Sequence, residues 1–485
     1  MVGCLDKEKE AQMNTMKQTV SGKNIPITEL SYAQVIEFLD KNWTTSRDGK
    51  SVERMKKLDK LFSSPSQKLP VIQISGNNGK SLTAYFTSKL LQKEGLKVGI
   101  FYAPHITTYN ERFSINNELI SNDAFTALAN IVINEAQCAK IAVNTYEVLT
   151  QMALNYFVEQ NVDVALLESN EGGSSNATAL CTPKIVAITR ITDKKGATLE
   201  TASDDILEEY LKVVGKDTHI ISADQNKTHL KFMFDWTKKH GGQWAMPIRK
   251  LVALEYPFEQ LHGRCAALAE RIASIFINSC QATDNNEKVA TLEDSLIAKK
   301  AGQRGRPTLE AKRNAELNPK YTLEEFWKET LNELPGRFEL IDKEKPAVLL
   351  DVADNIDALE NLFLGIRLLN YQRPIKGVAL IVGFHKETIH QEEFIKAVRY
   401  FFKKTNGIVI FCPLTAQKEW LTESWNVQDI ENEMKDTKVK IRSTASFKEA
   451  FEVAKKSVND KQGLIVVTGS SAMVNNYWQL KGVKK

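Results

Sequence analysis

One short segment constrains this chain more than any other. Ser75-Gly-Asn-Asn-Gly-Lys-Ser81 follows the apolar run Leu69-Pro-Val-Ile-Gln-Ile-Ser75 and opens a stretch with helical character over 80–94. Glycines let a backbone turn tightly enough for its N–H groups to converge on an anion at the start of a helix. In that frame Lys80 reaches the β- and γ-phosphates of a bound nucleotide, and the hydroxyl that follows it holds Mg²⁺. The plainer alternative is a glycine turn with an exposed lysine; a strand before and a helix after favour the phosphate loop. Position 74 is Ile, where the GxxxxGK[ST] pattern has its first glycine. The loop is therefore a shorter variant, and it points away from kinase- and GTPase-like chains.

The surroundings repeat the strand–helix alternation. A β-rich run over 97–102 closes a βαβ unit, which requires a parallel sheet. Helices are expected over 122–139 and 146–159, and strands over 162–167, 184–189 and 218–222. Upstream, helices are expected over 32–39 and over 52–62, the latter with Leu58, Leu61 and Phe62 on one side. Residues 1–26 are polar and read as a loose arm or a short helix. The first α/β domain is placed at 27–334, its regular elements ending near 280 and a polar, charged insertion or helical excursion filling about 283–325. A second α/β domain, 335–485, has strands at 347–350, 377–382, 407–411 and 463–468.

Composition narrows the function class. Hydrophobic residues at 42% and charged residues at 26% are the values of a globular chain, not a disordered one. Lys plus Arg number 64 against 60 acids, so the net charge of +4 provides no global field drawing the chain to nucleic acid. Six cysteines without a CxxC pair read as reduced, buried thiols of a cytoplasmic protein. No apolar run approaches the ~18 residues of a membrane span.

Beyond the loop, ordered blocks resemble the Mur ligase superfamily, specifically its folylpolyglutamate synthase and dihydrofolate synthase branch. Ser75–Thr83 resembles that family's TGTNGKGST. Val98-Gly-Ile-Phe-Tyr-Ala-Pro-His105 and Tyr109-Asn-Glu-Arg-Phe-Ser-Ile-Asn116 resemble its VGLFTSPHL and FNERI-x-ING. Thr145-Tyr-Glu-Val-Leu-Thr150, and Val164-Ala-Leu-Leu-Glu168 with Glu171-Gly-Gly173, look like TYFEVLT and VLEVGLGG. Leu334-Pro-Gly-Arg-Phe-Glu339, Asp351-Val-Ala-Asp-Asn355 and Val467-Thr-Gly-Ser470 look like PGRFE, DGAHN and VTGS. The resemblance implies a P-loop Mur-ligase-like central domain with a parallel sheet, then a smaller Rossmann-like α/β C-terminal domain. It also implies ATP- and Mg²⁺-dependent amide formation: a folate-like carboxylate takes the γ-phosphate, and the amine of L-glutamate displaces it. The enzyme would be a cytoplasmic monomer acting on small molecules, with no membrane and no nucleic acid.

Site residues carry over on the same terms. Gly76, Asn78, Gly79, Lys80 and Ser81 would hold the nucleotide, with Arg337 on its phosphate and Asp351 as a further nucleotide contact. Ser81 and Glu168 would hold the metal, and Lys80, Glu168 and Lys194 would serve catalysis. The competing readings are a helix-cap or surface glutamate for Glu168 and structural ion pairs for Arg337 and Asp351. Five positions depart from the family: Ala103 for a metal-binding serine, Lys194 for a histidine, Tyr210 for a carbamylated lysine, Asp354 for the DGAHN histidine and Cys265 for a helix asparagine that meets the nucleotide. A lysine ammonium offers no lone pair to a metal, but its charge can stand where a second cation would. Two outcomes fit: a ligase with a rebuilt metal site, or a nucleotide-binding pseudoenzyme with a regulatory or binding role. His105 reads equally as a substrate contact or a structural histidine. The basic stretch around Arg304-Gly-Arg-Pro307 is read as a solvated loop in preference to a minor-groove hook, and Tyr400-Phe401-Phe402 as helix core.

Overall fold

The structure is a computed structural model of the chain, and it describes residues 29–43, 49–169, 176–192, 199–248, 254, 258–285, 334–385, 389–414, 424–435 and 439–482. In chain order the first part contains α1 (Tyr32–Lys41), α2 (Ser51–Leu61), β1 (Val71–Ser75), α3 (Lys80–Lys93), β2 (Val98–Phe101), β3 (Phe113–Ile115), β4 (Glu118–Leu119), α4 (Asn122–Cys138), α5 (Thr145–Glu159), β5 (Val164–Glu168), β6 (Ile185–Ile188), α6 (Leu199–Leu211), β7 (His219–Ser222), α7 (Lys227–His240), β8 (Gln243–Ala245) and α8 (Phe258–Asn285). The second contains β9 (Glu339–Ile341), β10 (Ala347–Leu350), α9 (Ile356–Gln372), β11 (Val378–Val382), α10 (Gln391–Phe402), β12 (Gly407–Phe411), α11 (Val427–Met434), β13 (Lys440–Ser443), α12 (Phe447–Ser457), β14 (Leu464–Thr468) and α13 (Ser471–Leu480).

Each part has its own sheet. The first runs β4-β3-β2-β5-β1-β6-β7-β8, parallel from β2 to β8, with β3 antiparallel to β2 and β4 antiparallel to β3. The second runs β13-β12-β11-β14-β10-β9, parallel except for β9. In the first sheet β1 lies at the centre, between β5 and β6. The phosphate-type loop therefore leaves the middle of the carboxyl edge, where doubly wound sheets bind ligands.

Strand periodicity divides each core into two layers. Ile72 and Ile74 of β1 face α3 and α8, while Val71 belongs to the opposite layer with Phe101, Leu167, Phe125, Leu149 and Phe157. Small residues on α8 (Ala266, Ala269, Ala273) are buried with Leu90 and Leu91 of α3, which brings the two backbones close. The second sheet is layered the same way: Leu349, Leu380 and Val466 face α9 and α10, and Val348, Ile381 and Val467 face α12 and α13. Local signals set the helix starts. A Ser31–Gln34 capping box opens α1, and an Asn144–Glu147 box opens α5.

Several expectations need correction. Leu58 is buried, but Leu61 is 44% exposed, because α2 turns it away from the layer that Phe62 packs against. Phe401 is core, while Tyr400, one residue round the helix, is 58% exposed. Among the described residues Cys138, Cys181, Cys265 and Cys412 are free but not uniformly buried, since Cys138 at the end of α4 is exposed. The arm at 1–26 and the body of the 283–325 segment, with Arg304 and its neighbours, lie outside the described residues. No helix among the described residues is long and apolar enough to cross a membrane.

Candidate active site

The loop after β1 is built against β6. Thr189 donates its N–H and its hydroxyl to the Ser75 carbonyl, at 2.9 and 3.2 Å, and Asn77 donates its N–H to the Arg190 carbonyl at 2.7 Å. The Asn77 side-chain oxygen accepts from Thr192 N–H at 2.7 Å. This close seat explains Gly76. It has φ +130°, and a Cβ there would lie 2.2 Å from Thr189 Oγ1 and 3.0 Å from the Arg190 carbonyl oxygen. Gly79 has φ +87° and caps α3, and a Cβ there would meet Cys265 Sγ at 2.7 Å. Cys265 thus packs against the loop rather than reaching past it. At this position the chain presents a packing surface where the family pattern has an amide.

Charge converges at the start of α3. Lys80 Nζ folds back to 3.4 Å from the Asn77 carbonyl and 3.9 Å from Glu168 Oε1. Ser81 Oγ donates to the same Oε1 at 3.2 Å. Glu168, the last residue of β5, is 1% exposed, so it is not a surface residue. Burial pushes its carboxyl above the ordinary range, opposed by the charges of Lys80 and Arg337, by the Ser81 hydroxyl and by the nearby Ala103 N–H. Its Oε2 is buried without a hydrogen-bond partner. A buried carboxylate oxygen left open beside a hydroxyl fits a hard, oxygen-seeking cation such as Mg²⁺. No group of three or more His, Cys, Asp or Glu that could hold a metal occurs among the described residues. Ser81 and Glu168 can therefore supply only part of a coordination sphere, which is the usual Mg²⁺ arrangement, completed by water and phosphate oxygens.

The second domain completes the site. Arg337 Nη2 lies 3.5 Å from Ser81 Oγ, a contact spanning 256 residues of sequence. Asn78 of the loop and Asn355, the N-cap of α9, exchange amide hydrogen bonds of 3.0 and 2.8 Å, and Asn78 Nδ2 also donates to Asp357 Oδ2 at 2.8 Å. Asp357 in turn forms an ion pair with Arg190. Asp351, at the end of β10, accepts from Phe338 N–H at 2.8 Å. Desolvation pushes its carboxyl up to about 6, with Asp354 adding to the rise and Arg337 opposing it.

That rise has a measurable consequence. A carboxyl that titrates higher in the folded chain than in the unfolded one stabilises the fold fully only below the unfolded value, and this contribution is lost as pH rises through about 6. Asp351→Asn keeps the oxygen that accepts from Phe338 and removes the charge. It is expected to melt a few degrees above wild type at pH 8, roughly 1 kcal/mol, with the gap closing below about pH 4. Melting curves across that range check it; a gap independent of pH would show that the charge of Asp351 is not strained.

The loop residues, Lys80, Ser81, Glu168 and Arg337 thus come together, with Asp351 behind Arg337. Lys194 lies outside the described residues. The departures find other uses. Tyr210 is 5% exposed and packs with Leu207, Leu211 and Met233. Ala103 is buried with only a methyl to offer, and Asp354 accepts from Asn355 Nδ2 at 2.9 Å. His105 is 5% exposed; its Nδ1 accepts from Arg112 Nε at 2.8 Å and its ring lies 4.4 Å from that of Tyr109. Sequence reasoning missed Arg190, Asn355 and Asp357 as site residues. Asn355 lay inside a quoted block, but no local signal marks Arg190 or Asp357.

No family model matches the chain. It is 27% identical over 322 residues, 64% of this chain and 70% of the relative, to dihydrofolate synthase/folylpolyglutamate synthase of Bacillus subtilis. Its fold matches the Mycobacterium tuberculosis folylpolyglutamate synthase complexed with ADP, with a TM-score of 0.70 at 19% identity, covering 93% of this chain and 98% of that one. It also matches a bifunctional folylpolyglutamate synthase/dihydrofolate synthase with Mn, AMPPNP and L-glutamate bound, at TM-score 0.67, 19% identity and coverage of 95% and 100%. Two layered, mostly parallel sheets, with a short phosphate-type loop on one facing an arginine from the other, give this chain the two-domain fold of those folylpolyglutamate synthase structures. In sequence, the chain is similar to the folylpolyglutamate synthase/dihydrofolate synthase branch, at the low identity of a divergent relative.

Proposed function

We propose that the chain is an ATP-dependent carboxylate–amine ligase that joins L-glutamate to a folate-like carboxylate through an acyl phosphate. The observation that carries this is the meeting of Lys80, Ser81 and Glu168 from one domain with Arg337 from the other. ATP transfers its γ-phosphoryl group to the substrate carboxylate, releasing ADP. The amine then attacks the acyl carbon, and inorganic phosphate leaves as the amide forms. Little covalent chemistry falls to the protein, so its task is to align the groups and neutralise charge. The N–H groups of the Gly76–Gly79 turn and the start of α3 cradle phosphate oxygens. Lys80 and Arg337 stabilise charge on the transferring group from opposite sides. Bound at Ser81 and Glu168, Mg²⁺ would neutralise phosphate charge as a Lewis acid. Asp351 and Asn78 shape the nucleotide side of the cleft, and Lys194 is assigned the place of a second cation. We set the domain boundary between Leu334 and Pro335 and place the enzyme in the cytoplasm as a monomer.

The test is phosphate release from ATP and Mg²⁺ by purified protein, with and without L-glutamate plus dihydropteroate or tetrahydrofolate. Release that requires both organic substrates is expected. ATP binding with no substrate-dependent release would instead support a pseudoenzyme, and absence of ATP binding would overturn the nucleotide reading.

A further inference from the structure

The two domains meet beside the phosphate-type loop through apolar and polar contacts of different character. Ile106 of the first domain is buried in an apolar layer of the second with Val348 and Val474, so close to Gly336 that a Cβ there would lie 3.0 Å from Ile106 Cδ1. Phe258 and Leu261 of α8 pack on the other layer, with the Phe258 ring 6.3 Å from that of Phe338 and Leu261 beside Gly365. Apolar packing is non-directional, so it brings the domains together without fixing their rotation.

The polar contacts are directional. Asp357, in the first turn of α9, places its two carboxylate oxygens on different parts of the first domain. Oδ1 pairs with Arg190 Nη2, two residues past β6, and Oδ2 accepts from Asn78 Nδ2 at 2.8 Å. Asn355, the N-cap of the same helix, exchanges amide hydrogen bonds of 3.0 and 2.8 Å with Asn78. The Asn78 side chain thus commits its oxygen and its amide group to the second domain, which leaves its backbone to face phosphate. Arg190 is itself tied to the loop, since its carbonyl accepts from Asn77 N–H at 2.7 Å. One clasp therefore joins the β6 edge, the loop and the start of α9. Its ion pair is partly exposed, with Arg190 at 49% and Asp357 at 20%, so its contribution lies in direction more than in strength. Arg337 rides on the domain that the clasp orients, and its 3.5 Å approach to Ser81 Oγ is at the outer limit of a hydrogen bond. A small rotation of the second domain would break or tighten that approach.

We propose that Arg190 and Asp357 are positioning residues: their ion pair, together with the Asn78–Asn355 amide pair, fixes the rotation of the second domain over the loop and so sets where Arg337 meets the transferring phosphoryl group. The inference rests on the ligase reading above, and adds to it two residues that act through Arg337 without touching the nucleotide.

The test measures ATP turnover at saturating ATP, Mg²⁺, L-glutamate and dihydropteroate or tetrahydrofolate, with AMPPNP titrations and melting curves. The proteins are wild type, Arg190→Ala, Arg190→Lys, Asp357→Asn, Arg190→Ala/Asp357→Asn, Arg337→Ala and Arg190→Ala/Arg337→Ala. Arg190→Ala is expected to lower kcat about tenfold while AMPPNP affinity stays within about threefold, because the loop holds the ground-state nucleotide by itself. Arg190→Lys keeps the charge and should recover part of the loss. The Arg190→Ala/Asp357→Asn pair should lose no more than Arg190→Ala alone, since one interaction is removed once. In the Arg337→Ala background, Arg190→Ala should cost nothing further. Turnover of Arg190→Ala within twofold of wild type would overturn the proposal and leave the ligase reading intact. Additive losses in the Arg190/Asp357 pair, a full further loss without Arg337, or an equal loss of AMPPNP affinity would overturn it in favour of direct nucleotide contact by Arg190. A melting transition lowered alike in Arg190→Ala and Arg190→Lys, in step with turnover, would overturn it in favour of a scaffold role. Absence of substrate-dependent turnover in wild type would overturn the ligase reading, and this proposal with it.

Discussion

Lys80→Ala is expected to lower ATP turnover about 10²–10³-fold, the loss seen when a preorganised positive group is removed from a developing charge. The geometry sets this expectation. The ammonium lies 3.4 Å from the carbonyl of Asn77 and 3.9 Å from Glu168 Oε1, inside the loop that would wrap a phosphate. Its side chain is 16% exposed and Glu168 is 2%, so water screens the charge little. Both partners hold the ammonium at the mouth of α3 before any ligand arrives, and no reorganisation is needed at the moment of transfer. The measurement is phosphate release under saturating substrates together with AMPPNP affinity. A variant within threefold of wild type in both would show that the lysine is an ordinary ion-pair partner. This experiment tests the loop under either a ligase or a pseudoenzyme, because both need the nucleotide held.

The second large effect falls on Glu168, and here function and stability should move in opposite directions. Glu168→Gln preserves shape and the oxygen that Ser81 donates to, but it removes the anion. Turnover is expected to fall about 10²-fold or more, and the Mg²⁺ concentration needed for half-maximal rate to rise, because hard divalent cations demand charged oxygen ligands. Burial raises the carboxyl of Glu168, so the ionised form costs the folded chain stability that is progressively lost as pH rises. Glu168→Gln should therefore melt no lower than wild type at pH 8. Glu168→Gln melting well below wild type would mark the residue as scaffold, and unchanged Mg²⁺ dependence would remove it from the metal site.

The departures from the family pattern look different once they are placed in space. Five substitutions along a sequence read as a site being dismantled. In the fold, Tyr210 lies in a separate apolar cluster, Cys265 packs against a glycine and Asp354 braces Asn355. None of the three displaces Lys80, Ser81, Glu168 or Arg337, whose mutual distances remain short. Contacts between the domains include the polar set of Asn78, Asn355, Asp357 and Arg190 as well as Arg337 on Ser81.

Much of the architecture was legible because central parallel strands are buried on both faces and read as continuous apolar runs. The segments at β1, β2, β5, β6, β10, β11, β12 and β14 all lie within a residue or two of their expected positions. The strands missed were short ones toward the sheet margins: β3 and β8 are three residues long and largely buried, β4 is exposed, β9 half-buried, and β13 alternates between exposed and half-buried positions. An edge strand needs no apolar run, since one side of it is solvent or loop, so its sequence carries little signal. Helix faces were harder to read than helix positions, as Leu61 and Tyr400 show, because a residue one step round a helix turns by about 100°.

By itself the sequence determined the central sheet, the glycine-lined turn at its carboxyl edge, and the placement of Lys80, Ser81 and Glu168 beside that turn. These follow from patterns a few residues long: strand periodicity, the positive φ that only glycine takes readily, and a carboxylate ending a buried strand. Only the tertiary structure decided that Arg337 meets Ser81 across 256 residues, that Asn78 is shared with the cap of α9, and that Arg190 pairs with Asp357. Such contacts depend on how two separately folded sheets dock, and docking is set by surfaces assembled from distant segments, which no local pattern encodes.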